Sequence, residues 1–149
     1  SVMYDHIDFH TDEDFPTGLS QSHAATHMGF YWAWAVSQNL HNPGWEEETP
    51  EDVAALKTGH ISGAEFVLKN MGGELEENDF SAQGQRFTAF YYDDEDEGYG
   101  AFMEDYVTAL NTPALASFYH VENSPENQAK LNVIFQAAFT QWQASLQIT

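Results

Sequence analysis

Apolar residues recur along this chain at intervals of three and four, the spacing of a helical face, in one segment after another. Ala25, Met28, Gly29, Trp32, Ala33, Val36 and Leu40 predict a long helix over 22–40, ended by Asn42-Pro43-Gly44. Thr49-Pro50-Glu51-Asp52 combines a Thr cap, a proline in the first turn and early acids, and predicts a short helix that reaches Thr58 and stops at Gly59. Ser62-Gly63-Ala64-Glu65 is a capping box that opens a helix carrying Phe66, Val67 and Leu68, closed by Gly72-Gly73.

Further along, Phe80, Gln83, Phe87, Phe90 and Tyr91 form one helical stripe, and Phe102, Met103, Tyr106, Val107 and Leu110 another, with the acidic elbow 93–97 between them. Ser124-Pro125-Glu126-Asn127 starts the last helix, whose inward stripe is Leu131, Ile134, Phe135, Ala138 and Trp142. Segments 4–15 and 117–121 alternate large residues and predict one short β pair between the N-terminal segment and residues 117–121. The expected architecture is mainly α, a single-domain helical bundle over 1–149 with about six helices. A length of 149 residues fits one domain, and neither repeats nor a linker divide it.

Charge changes the picture. Twenty-four Asp and Glu against four Lys and Arg give a formal net charge of −20, while 42% of residues are hydrophobic and 15% aromatic. So apolar a chain folds rather than remaining an acidic disordered tail. Lys57, Lys69, Arg86 and Lys130 are scattered and form no basic patch for phosphates or anionic lipid, so neither direct nucleic-acid nor membrane binding is expected. The partner this charge suits is a basic protein. There is no cysteine, no apolar run near the ~18 residues of a membrane span and no basic, apolar start of a signal peptide; the expected compartment is the cytoplasm.

Motifs with chemical content are few. Residues 93–104 follow the EF-hand calcium loop in Asp93, Gly98 and Glu104, with Glu95 and Glu97 in place of shorter ligands and Gly100 where an aliphatic residue belongs; the calcium reading rests on Asp93, Glu95, Glu97 and Glu104. His23 and His27 are four apart, as in helical zinc sites, but the glutamate of the metalloprotease pattern is missing. His27 is read as a hydrogen-bonded core residue that ties the N-terminal segment down, with Asp5, Asp8, Asp14 and His120 as candidate partners; His6, His10 and His120 are further candidates for either role. Nucleophile elbows, phosphate loops and dinucleotide fingerprints are absent, so neither an enzyme nor a cofactor is expected.

Tyr31 and Trp34 fall off the main stripe of the first helix. Tyr92 and Tyr99 flank the elbow, and Trp45 precedes Glu46, Glu47 and Glu48. Aromatics beside acids suit an interface for a basic protein. The expected binding surfaces are therefore Tyr92, Asp93, Asp94, Glu95, Asp96, Glu97 and Tyr99, and secondly Trp45 with Glu46 to Glu48.

Asp14-Phe15-Pro16, Ala25-Thr26-His27-Met28-Gly29, Ala33-Trp34, the run from Gly59 to Phe66 and Ser117-Phe118-Tyr119-His120-Val121-Glu122 together resemble an uncharacterised family of small acidic bacterial proteins. The resemblance implies a mostly helical domain similar to the immunity partners of secreted toxins. The function expected is thus an immunity protein that binds and inhibits a cognate toxin with a basic, nucleic-acid-binding cleft such as a nuclease. A DNA-mimic regulator of an endogenous nucleic-acid-binding protein and a calcium-binding protein are the alternatives, and adaptation to a saline environment also accounts for the acidity.

Overall fold

The computed structural model describes residues 2–93 and 100–147. The N-terminal segment forms strand β1, Met3–His6, followed by a 3₁₀ turn over Ile7–Phe9. Ser20 then accepts from the Ser22 amide and opens a second 3₁₀ turn, Gln21–Ala25, so that the first regular helix, α1, spans Thr26–Ser37. Asn39 ends it. With φ at 57° its N–H reaches the Val36 carbonyl while the Leu40 N–H reaches Ala35, the paired closure of a Schellman motif. The helix expected over 22–40 is therefore shorter at both ends, because local caps act before Asn42-Pro43-Gly44.

Helices α2 (Gly44–Glu48) and α3 (Pro50–Lys57) follow, the latter with its proline in the first turn. The capping box forms as its motif requires: the Glu65 amide donates to Ser62 Oγ at 3.1 Å and the Ser62 amide to Glu65 Oε1 at 3.2 Å, opening α4, Gly63–Asn70. Gly72 and Gly73 both take positive φ and turn the chain into strand β2, Glu74–Glu76. This strand pairs antiparallel with β1, His6 opposite Glu74 and Met3 opposite Glu76.

A β pair is thus present, but its second strand is not 117–121. Ser117 Oγ accepts from the Tyr119 amide and winds Phe118–His120 into a 3₁₀ turn, while the glycine pair delivers 74–76 to the edge of β1. The remaining helices are α5 (Ala82–Tyr91), α6 (Ala101–Leu110) and α7 (Pro125–Leu146), with Ser81 and Ser124 capping the first and last. The protein is mainly α, in a single domain.

Helix α1 runs through the centre, against α4, α3 and α7. Met28, Tyr31, Trp32, Trp34, Ala35 and Val36 on it are all buried, and only Ala33 and Ser37 mark a narrow solvent side, so no broad amphipathic stripe is left. Tyr31 and Trp34, expected off the stripe, are core residues: the Tyr31 hydroxyl lies 2.9 Å from Thr88 Oγ1, and the Trp34 ring meets Phe87, Phe135 and Phe139 edge-on. Phe90 departs the other way. Gly84, Phe87, Thr88 and Tyr91 define the inward face of α5, and Phe90 sits about 110° round the helix from its centre, 61% exposed.

The α1–α4 crossing depends on two glycines. A Cβ on Gly29 would overlap the backbone of Gly63 and Ala64, and one on Gly63 would overlap the Gly29 carbonyl. Gly29→Ala should destabilise the protein by about 3 kcal/mol, at the upper end of overpacking costs because the obstacle is backbone rather than a movable side chain. Gly59→Ala, at positive φ but with open space around it, should lose only about 1 kcal/mol. Urea unfolding of the two variants checks the contrast.

Candidate functional site

The most concentrated polar chemistry among the described residues lies where β1 meets the start of α1. Asp5 on β1 is buried, as is His27 in the first turn of α1. Oδ1 of Asp5 accepts from the His6 amide at 2.8 Å and faces His10 Nε2 at 2.8 Å; Oδ2 faces His27 Nε2 at 2.9 Å and accepts from the Tyr92 hydroxyl. One carboxylate thus has a partner on each lone-pair direction, drawn from the N-terminal segment, α1 and the end of α5. His10 Nδ1 extends the chain of contacts to the Tyr119 hydroxyl at 2.8 Å.

Burial works against a charge on Asp5, but the fields and hydrogen bonds of His27 and His10 outweigh it and hold the carboxyl well below its usual range. Burial also lowers the pKa of His27, more than Asp5 raises it. The Tyr92 phenol is pushed far up by burial and by the adjacent carboxylate, and therefore acts as a donor. An ionised carboxylate only accepts, so in both rings Nε2 carries the hydrogen. Nδ1 of His10 then faces the Tyr119 hydroxyl, while Nδ1 of His27 is buried, with no hydrogen-bond partner among the described residues.

Beside this cluster is a cavity of about 330 Å³ lined by Asp5, His10, Tyr92, Tyr119, Phe102 and Met103, among others. The imidazole of His10 lines the cavity and meets that of His27 edge to face, with centroids 4.6 Å apart.

His27 is the core residue expected, and of its candidate partners Asp5, Asp8, Asp14 and His120 it meets Asp5. The other candidates lie elsewhere: His6 accepts from the Asp8 amide and faces Glu74, His23 Nδ1 faces the Ser20 carbonyl, and His120 Nδ1 faces Ser117 Oγ. His23 belongs to the 3₁₀ turn rather than to α1, which removes the helical i, i+4 relation to His27. Tyr92, expected as an exposed anchor, is buried with its hydroxyl on Asp5. Tyr119 escaped the sequence reading because its partner is 109 residues away.

Among the acidic surfaces, Asp94, Glu95, Asp96, Glu97 and Tyr99 lie outside the described residues, and so does most of the calcium-like loop. Asp93 follows α5, and Glu104 is exposed in the first turn of α6. Trp45 is half-buried, its Nε1 donating to the Asp79 carbonyl at 3.2 Å and its ring packing on Trp32 and Phe66. Glu46 contacts His41 and Lys57, whose hydrogen bonds lower its pKa, while Glu47 and Glu48 are exposed. Asp79, which accepts from the Glu76 amide, is pushed up to about 7 by burial and by the charges of Glu76 and Glu74.

Comparison with protein families matches residues 3–121 to a domain of unknown function, DUF7832. The chain belongs to the DUF7832 family. The matched span of this DUF7832 domain includes Asp5, His10, His27, Tyr92 and Tyr119, the whole of the buried cluster. No curated protein and no solved structure matches the chain.

Two buried carboxyls of the DUF7832 domain give opposite pH dependences. The folded pKa of Asp5 is depressed, so its contribution is fully present above the ordinary Asp range near pH 4 and is lost as pH falls below it. Asp5→Asn should cost about 3–5 kcal/mol at pH 7, and its deficit against wild type should narrow toward about pH 3. Asp79 has a raised folded pKa, so wild-type stability declines from about pH 4 to about 7 through this residue; Asp79→Asn, which keeps an acceptor for the Glu76 amide, should gain on wild type over that range. Urea titrations across pH measure both.

Proposed function

We propose that this protein is an inhibitor of a basic partner, an immunity protein that occupies the nucleic-acid-binding cleft of a cognate toxin such as a nuclease. The observation that carries the reading is the net charge of −20 and its placement. Two of the four cations are neutralised within the fold, Lys57 by Glu46 and Lys69 by Asp52, and the other two, Arg86 and Lys130, stand on separate helices. From Leu131 to the last residue the sequence carries no charge at all, so the acidity is concentrated on the rest of the molecule.

One acidic region joins neighbouring elements. Trp45 and Asn42 bond the backbone of Asp79 and Asn78, which brings α2, with Glu47 and Glu48, beside the β2 segment with Glu74, Glu76 and Glu77. Carboxylates at this density imitate the phosphates that a nuclease cleft is built to hold, and they steer a basic protein into rapid association. Such steering weakens with salt.

Affinity capture followed by inhibition assays tests the reading. The expected result is one basic protein bound stoichiometrically, its nuclease activity blocked, with an affinity that falls about tenfold or more on raising salt and again on combining Glu47→Gln, Glu48→Gln, Asp94→Asn, Asp96→Asn and Glu97→Gln. Binding without inhibition, or an affinity indifferent to salt and to these substitutions, would reject it. Capture of an endogenous nucleic-acid-binding regulator would replace the toxin with the target of a DNA mimic.

A further inference from the structure

We propose that Asp5, His10 and His27 form a three-ligand site for a divalent transition-metal ion of the zinc class, with its open coordination position toward the adjoining cavity. One carboxylate oxygen and one ring nitrogen from each histidine lie within 4.8 Å of one another. Two imidazoles and a carboxylate are the donor set of zinc sites that keep a fourth position for water or substrate.

The surroundings suit an ion. The cavity of about 330 Å³ reaches Asp5 and His10, giving both an entry path and room for a fourth ligand. The site contributes a carboxylate, Asp5, and sits in a chain of net charge −20, a field that attracts a dication.

The outer contacts fit too. Metal at Nε2 moves each ring hydrogen to Nδ1. On His10 this hydrogen then points at the Tyr119 oxygen, 2.8 Å away, the kind of second contact that orients ligating histidines. On His27, Nδ1 has no hydrogen-bond partner among the described residues, so packing rather than a second contact orients that ring. The Tyr92 hydroxyl and the His6 amide hold the carboxylate in place. The nitrogen–oxygen separations of 2.8 and 2.9 Å are those of hydrogen bonds. Tetrahedral bonds of about 2.0–2.1 Å require roughly 3.3 Å between ligand atoms, so the ligands spread by about 0.5 Å around the ion. His10, on the loop after β1 and partly exposed, is the ligand with freedom to move.

The test uses the full chain, stripped with a chelator and dialysed. Zn²⁺ titrated calorimetrically should bind at one equivalent, and Co²⁺ should give the visible absorption of a tetrahedral nitrogen–oxygen site. His10→Ala should weaken Zn²⁺ by about a hundredfold or more and Tyr119→Phe by about tenfold, the size of ligand and outer-contact effects, while His120→Ala leaves it unchanged. Nitrogen-15 spectra of the wild type give a reading independent of whether a variant folds: Zn²⁺ should shift Nε2 of His10 and His27 and spare the other five of the seven histidines. Absence of saturable one-to-one binding, shifts confined to other histidines, or a folded His10→Ala that binds Zn²⁺ as well as wild type would overturn the proposal. None of these results bears on the binding of a basic partner, which rests on surface charge.

Discussion

The close passage of Gly29 in α1 over Gly63 and Ala64 in α4 sets the geometry on which the other packing depends. With no side chain between them the two backbones come into direct contact at this crossing. Trp32 is thereby drawn against Phe66, and α1 sinks deep enough for α5, α6 and α7 to close over its opposite side. The aromatic cluster of Tyr31, Trp34, Phe87, Tyr91, Phe102 and Phe135 fills the space so enclosed, its rings mostly tilted or edge to face, as their quadrupoles favour.

That core balances a surface that repels itself. A net charge of −20 on 149 residues opposes compaction at neutral pH, and the fold answers with large buried rings rather than with many ion pairs. Acids do enter the interior, under two different regimes. Asp5 is surrounded by donors and stays ionised, whereas Asp79 is buried near Glu74 and Glu76 and holds its proton to about pH 7. Placement, not residue type, decides which of two aspartates is charged.

The two functional proposals rest on different parts of the molecule. The proposed partner binding draws on the exposed carboxylates of α2 and the half-buried ones of β2, and requires only that cations be few and scattered. The buried cluster of Asp5, His10 and His27 lies at the junction of β1 with α1, and its chemistry is local. Tyr92 connects them in sequence: its side chain completes the cluster, and the next residue begins the acidic run.

Helix positions, caps and the mainly α class were legible in the sequence because they depend on neighbours within one turn. Ser62-Gly63-Ala64-Glu65 is a capping box whatever it packs against, and Pro50 and Pro125 fix first turns through their own rings. His27 as the tie of the N-terminal segment to the core, with Asp5 among its partners, was legible from its place on a helix too apolar to leave an imidazole exposed. The burial of Tyr31, Trp34 and Tyr92 was not, since a period of 3.6 residues marks one face and α1 is covered on nearly all sides. Nor was the pairing of β1 with Glu74–Glu76, or the contact between His10 and Tyr119, because the partners are separated by about 70 and 109 residues and nothing local encodes the separation. The sequence by itself determined the main helices, most of their caps and the charge; the tertiary structure decided which aromatics lie inside, which strand meets β1 and which histidines share Asp5, since these follow from how the helices pack around α1.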